Sequence, residues 1–359
     1  MTIRHYILFI FLLSFSSAIA QDVRDDFNKV KRISKKLVRK KKVPGIAISV
    51  VQNNSLVYSQ GFGYANIEQQ EIVDPKSTIF RIASVSKPIA SVGLAKLYDS
   101  NNVSLDASIY NYIPQFPKKS FDFSLRQLGG HLAGIRSYKN GEFLNTKPLS
   151  INQGIDIFKN DALLFQPGTE FLYTSYGWNL IAHTIESITN LRFEDYIKTA
   201  ILDPVGMIHT YADKNQKLIN KAVFYTKVRS RKFKEATTVN NYYKLAGGGY
   251  LSTADDLSLF GKALLNEEII DNNVLKEFTT SQEINGKRTY YGIGFESSFD
   301  HKGRPYFGHT GNGLGGYAIF RVYPEEKVVI TILINCSNPD EDEAFNAIID
   351  AFFDEKGII

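Results

Sequence analysis

Ser84 and Lys87, three positions apart in Phe80-Arg81-Ile82-Ala83-Ser84-Val85-Ser86-Lys87, could together make a nucleophile. On a helix that spacing puts both side chains on one face, one turn apart. A serine hydroxyl is a weak nucleophile near neutral pH, and a lysine amine is ordinarily protonated. A lysine desolvated in a closed site loses its proton more readily and can then accept the hydroxyl proton. The helix N-terminus would also aim backbone N–H groups at negative charge forming on a substrate. Read in isolation, a capping serine and a solvated lysine explain the same four residues better, so the surrounding elements must decide.

Those elements follow from periodicity. Residues 22–42 read as an amphipathic helix with Phe27, Val30, Ile33, Leu37 and Val38 on one side, ended by Pro44-Gly45. Ile46 to Val51 and Ser55 to Tyr64 read as a hairpin around Gln52-Asn53-Asn54. The pattern after Ser84 is helical to about Tyr98, and helical periodicity dominates Trp178 to Ile188, Phe193 to Ile201 and Asp255 to Leu265. Ala246-Gly247-Gly248-Gly249 permits a tight turn or a close backbone approach. Tyr291 to Glu296, Tyr306 to His309, Gly316 to Tyr323 and Val328 to Asn335 alternate as strands, and a helix over Glu341 to Phe353 closes the chain. Strands at both ends with helices between predict one sheet built from both termini around a helical insertion. The α/β part is expected at about 22–80 and 285–359, and the mainly helical part at about 81–284.

The 359 residues are 43% hydrophobic, enough for a large core, with 20 Tyr and 25 Phe. The net charge of +5 is unevenly placed: nine Lys or Arg and no acid fall between Lys29 and Lys42, leaving 33 basic against 37 acidic residues elsewhere. Nucleic-acid binding is therefore not expected of the body of the protein. The basic run at 29–42 reads as the solvated face of its helix, with weak contact to an anionic surface as the alternative. Arg4 and His5, the apolar run Tyr6 to Phe15, and Ala18-Ile19-Ala20 predict a signal peptide over 1–20, and hence an exported mature chain, 21–359, in the periplasm or outside the cell. The lone Cys336 lies in an apolar strand, so no intrachain disulfide forms. The six histidines lack metal-ligand spacing, and no metal or other cofactor is implied.

Two further segments belong with Ser84-Val85-Ser86-Lys87: Tyr173-Thr174-Ser175, and His309-Thr310-Gly311 near the C-terminus. Their order and type resemble the penicillin-binding protein and serine β-lactamase superfamily, in its class C β-lactamase and D-Ala-D-Ala carboxypeptidase branch. There the motifs read S-x-x-K, Y-x-N and K-T-G or H-T-G. Phe80 to Lys87, His131-Leu132-Ala133-Gly134-Ile135-Arg136 and Ala246 to Thr253 look most like the mitochondrial serine β-lactamase-like branch and its bacterial relatives. The resemblance spans essentially the whole mature chain. It implies an α/β, β-lactamase/DD-peptidase-like fold: an antiparallel sheet flanked by helices, plus a mostly helical second domain.

The resemblance assigns roles. Ser84 attacks a carbonyl and is acylated, while Lys87 and Tyr173 carry the proton from Ser84 to the leaving group. Tyr173 is also expected to activate water for deacylation. The oxyanion hole would be the backbone N–H groups of Ser84 and Asn312. Ser175, His309, Thr310 and Gly311 line the substrate, with Gly311, Gly313, Gly315 and Gly316 clearing the edge strand for it. Two departures stand out. Ser175 replaces the usual Asn, which weakens the expectation of β-lactam turnover. His309 replaces Lys, and a partly charged histidine there would make carboxylate recognition pH-sensitive. His131 matches a position that is mainly structural in the family. The expected activity is an exported serine acyl hydrolase acting on a peptide, ester or β-lactam, with peptidase or carboxypeptidase-like activity favoured. The alternative is a binding or scaffold protein that keeps the fold without turnover, in which Ser84→Ala would leave function intact.

Overall fold

The structure, a computed structural model, describes residues 26–229 and 232–353. The expected signal peptide lies outside them. The first element, α1 (26–39), buries Val30, Ser34 and Leu37, while Lys29, Lys31, Arg32, Lys35, Lys36 and Arg39 face solvent. It leads into the hairpin of β1 (Gly45–Gln52) and β2 (Ser55–Asn66). Asn53 and Asn54 take φ of 48° and 67° in its turn, the left-handed pair that matches strand twist and that asparagine tolerates. A short β3 (Glu71–Ile72) follows. The middle of the chain supplies α2 (Ser86–Asp99), α3 (Tyr176–Thr189) and α4 (Ala254–Leu265). The end returns as β4 (Glu296–Phe299), β5 (Pro305–Gly313), β6 (Gly316–Tyr323), β7 (Val328–Ile334) and α5 (Asp342–Asp350).

The seven strands form one antiparallel sheet in the order β4-β5-β6-β7-β1-β2-β3, so β7 pairs with β1 and joins the two ends of the chain. Alternation sorts the side chains of the central strands to its two faces. Ile46, Ile48 and Val50 with Ile330, Ile332 and Ile334 pack against Val30 and Leu37 of α1 and Phe345, Ile348 and Ile349 of α5. Ala47, Val51, Phe320 and Leu333 face the other way and share a core with α2, α3 and α4. Because both faces are covered, every residue of β7 and all of β1 but Gln52 is buried, Ser49 and Thr331 included.

Two elements differ from the sequence reading. Helix α4, expected with the helical part, lies on the sheet. Its Ser258 hydroxyl donates to the Ser49 carbonyl at 3.2 Å and lies 3.0 Å from Thr331 Oγ1, and a side chain on Gly261 would collide with Val329. Tyr291 to Glu296 is not a strand, which begins only at Glu296. Gly294, at φ +81° and against the Trp178 ring, bends the chain so that Ile293 and Phe295 enter the helical core.

Candidate active site

Ser84 lies in a 3-10 turn, Ala83–Val85, immediately before α2 rather than within it. Ala83 is held at φ +47°, a conformation an alanine adopts only when its surroundings impose it. The restraint comes from Ser86, whose hydroxyl donates to the Ala83 carbonyl at 2.7 Å and accepts the Tyr250 N–H at 3.0 Å. Strand Phe80–Arg81, just upstream, pairs with Tyr250–Ser252. The Arg81 guanidinium is buried against Asp213 and donates to the Leu314 carbonyl at 2.6 Å, tying the nucleophile turn to the β5–β6 hairpin.

One turn into the chain from Ser84, the Lys87 side chain is fully buried, with Nζ 3.1 Å from Ser84 Oγ. It donates to the Gly247 carbonyl at 2.6 Å and lies 3.3 Å from Ser175 Oγ. Desolvation pushes its amine down to about 7, against the field of Glu296, which holds it up. A lysine in that range can accept a proton at neutral pH. The Gly247 carbonyl comes from the glycine run that the sequence marked for close backbone approach.

The Tyr173 hydroxyl donates to Ser84 Oγ at 2.9 Å, and its ring lies beneath the Lys87 amine, 4.7 Å from Nζ to the centroid. Burial of that hydroxyl raises its pKa, although 37% of the residue is open to solvent, so it stays a phenol and a proton donor. Its ring lies 4.3 Å, centroid to centroid, from the imidazole of buried His131. His131 Nδ1 accepts the Thr174 N–H at 3.2 Å, and burial keeps the ring neutral. His131 therefore positions the second motif, a role the sequence offered only as structural. Ser175, at the N-terminus of α3, keeps the lysine contact of the usual Asn with a shorter side chain.

The third motif lies on β5. His309, Gly311 and Gly313 share one face of that strand. A Cβ on Gly311 would stand 2.2 Å from the Ile82 carbonyl and 3.3 Å from the Ser84 nitrogen, and one on Gly316 would stand 2.3 Å from the Arg81 carbonyl. Gly313 faces Ala83 and Gly315 faces Phe224. These glycines admit the nucleophile turn and its supports, which corrects the expectation that they clear a path for substrate. Thr310 N–H donates to Glu296 at 3.0 Å across the edge of β5, so by alternation the Asn312 N–H faces that edge too. The Asn312 side chain is held by Asn338.

His309 is 2% exposed, and burial drops it to about 4, against Glu296. The neutral ring donates from Nδ1 to the Thr310 carbonyl at 2.7 Å, and Nε2 then accepts the Tyr291 hydroxyl at 2.8 Å. The expected partly charged histidine is thus replaced by a neutral one whose two nitrogens are both engaged. Among the described residues no three His, Cys, Asp or Glu side chains are grouped to hold a metal, and no helix is long and apolar enough to cross a membrane. Burial pushes the Cys336 thiol up to about 12, which leaves it inert.

The turn, the buried lysine, the tyrosine and the edge strand together hold a hydroxyl between a proton acceptor and a proton donor. The β-lactamase family model matches residues 30–354. Serine beta-lactamase-like protein LACTB of Homo sapiens mitochondria is 27% identical over 80% of this chain and 70% of its own length. Penicillin-binding protein 4* of Bacillus subtilis is 26% identical over 84% and 70%. Among solved structures, the octameric penicillin-binding protein homologue from Pyrococcus abyssi superposes with a TM-score of 0.79 at 25% identity, covering 91% of this chain and 77% of its own. D-amino acid amidase from Ochrobactrum anthropi SV3 has the same fold, with a TM-score of 0.82 at 20% identity over 93% and 100%. The chain belongs to the β-lactamase family of serine hydrolases.

Proposed function

We propose that the protein hydrolyses an amide or ester through an acyl-enzyme on Ser84, with peptides or amino-acid amides as its substrate class. The observation that carries this is the buried Lys87 amine, lowered to about 7 and 3.1 Å from Ser84 Oγ, with the Tyr173 phenol 2.9 Å from the same oxygen. Ser84 Oγ bonds to the carbonyl carbon as its proton passes to neutral Lys87. The carbonyl electron pair moves onto oxygen, facing the N–H groups of Ser84 and Asn312. As the tetrahedral centre collapses, the bond to the leaving group breaks, and the leaving nitrogen takes a proton from Tyr173, which Lys87 replenishes. Water then attacks the acyl ester, gives its proton to the same pair, and Ser84 regains its hydrogen. D-aminopeptidase of Gluconobacter oxydans, 25% identical over 81% of this chain and 56% of its own length, supports a peptide substrate.

The reading includes export after loss of residues 1–20, which N-terminal sequencing of protein from fractionated cells checks. The hydrolase itself is tested by intact mass after treating 21–359 with a fluorophosphonate, beside Ser84→Ala. A single adduct that requires Ser84 is expected. No adduct on folded protein would contradict the proposal and favour a binding or scaffold role.

A further inference from the structure

Glu296 begins β4, pairs with Gly308 and reaches along the open edge of β5. Its carboxylate accepts the Thr310 N–H at 3.0 Å and the Thr310 hydroxyl at 3.4 Å, and lies 3.5 Å from His309 Nδ1. The edge of β5 therefore presents the Asn312 N–H for a substrate oxygen and, two residues or about 7 Å back along the strand, a protein carboxylate. That second position lies on the leaving-group side. The proton donor to the leaving group, Tyr173, packs beside His309 with ring centroids 6.0 Å apart, and Glu296 exerts its field on Tyr173 and Lys87 alike.

Among the described residues, the donors at that position are already engaged when a negatively charged group on the leaving portion of a substrate arrives. Both donors of Thr310 already serve Glu296. His309 spends Nδ1 on the Thr310 carbonyl and Nε2 on Tyr291. The carboxylate that takes up Thr310 is itself negative, and its side chain is only 26% exposed, so solvent screens it incompletely, with Lys87 and Arg321 also within its field.

We infer that Glu296 sets leaving-group specificity: it occupies the place of a substrate carboxylate, so the site selects against leaving groups that carry one and takes those that are neutral or cationic at that point. Primary amides, esters and peptides extended beyond that position meet this requirement. Dipeptides ending in a free carboxylate next to the scissile bond do not. The inference rests on the Ser84 acyl-enzyme proposed above and deepens it.

A matched pair of aryl phosphonates separates the two. They are identical except that the leaving phenol carries a meta carboxamide in one and a meta carboxylate in the other. Labelling rates of Ser84 are measured by intact mass and corrected for each probe's reaction with hydroxide. The carboxamide is expected to label at least about tenfold faster, the repulsion of two partly screened charges being worth that much. In Glu296→Gln the ratio should fall towards one, read as a ratio within the variant so that any general loss of reactivity cancels. Raising ionic strength to about 1 M should lower the ratio in the unaltered protein, which keeps the test open if the variant fails to fold. Equal labelling by the two probes, faster labelling by the carboxylate, or a ratio indifferent to both Glu296→Gln and salt would overturn the inference and leave the Ser84 hydrolase standing. Labelling by neither probe would remove the acyl-enzyme reading and this inference with it.

Discussion

Burial takes the Lys87 amine out of water and gives it three oxygens in return: Ser84 Oγ, Ser175 Oγ and the Gly247 carbonyl. None of them is a carboxylate, so the charged form loses more than the neutral form, and the proton affinity falls into the range a base needs. Tyr173 experiences the same burial with the opposite result, because its charged form is the deprotonated one. Desolvation, the largest effect on both groups, thus separates acceptor from donor around one hydroxyl. Tyr173→Phe keeps the ring on His131 and deletes only the hydroxyl, and with it the proton donor. Hydrolysis of an unactivated amide is expected to fall about 10²-fold or more, and that of a p-nitrophenyl ester only a few-fold, since nitrophenolate needs no proton to leave. Equal losses on both substrates would contradict the donor role. Ser84, Lys87 and Tyr173 could be singled out in the sequence only because three motifs, in order and type, resemble a known family; the spacing of Ser84 and Lys87 alone did not mark them. The charge of His309 was not legible, because Tyr291 and the burial that neutralise it come from other segments. Glu296 was hidden for the same reason, since only the pairing of β4 with β5 brings it to Thr310.

The elements meet with little tolerance where β5 crosses the nucleophile turn. Gly311→Ala would force a methyl onto the Ile82 carbonyl at 2.2 Å, backbone against backbone, with no side chain free to yield. A cost of about 2–3 kcal/mol is expected, together with a drop in fluorophosphonate labelling beyond what unfolding explains, because the strand must move off Ser84. Gly303→Ala is the control. At φ +81° with nothing within 4 Å of the added methyl, it should cost about 1 kcal/mol through conformation alone and leave labelling unchanged. Chemical denaturation and labelling of both variants measure the difference; a Gly311→Ala protein that labels normally would refute the crossing as the positioning device. The β1–β2 hairpin was legible from its two asparagines, and the terminal sheet from its alternating runs. The misplaced strand at Tyr291 to Glu296 shows the limit of that reading. Tyr291, Ile293 and Phe295 alternate as a strand would, yet Gly294 lets the chain turn so that Ile293 and Phe295 enter the helical core while Tyr291 stays against His309.

At the scale of the molecule, the site is a seam between sheet and helical layer, and the seam is dry enough to strip protons from histidine as well as lysine. His309 titrates at about 4 when folded, below its ordinary 6.5. Between those values the unfolded chain binds a proton that the folded chain does not, so stability rises with pH through that window. Acidification from about 6.5 to about 4 should therefore cost on the order of 2 kcal/mol from this residue, with no further loss from it at lower pH. Denaturant unfolding at both ends of the window should show a smaller pH dependence in His309→Gln, and an undiminished dependence would contradict the neutral histidine. The central claim is that the same seam makes Lys87 the base for Ser84, and the pH dependence of fluorophosphonate labelling tests it most directly. Fluoride needs no proton to leave, so the rate reports activation of the hydroxyl alone. The account predicts a rate that climbs through about pH 7 as Lys87 loses its proton, a step absent from Lys87→Met. A rate flat across that range, or one that climbs only towards the ordinary lysine value, would contradict it.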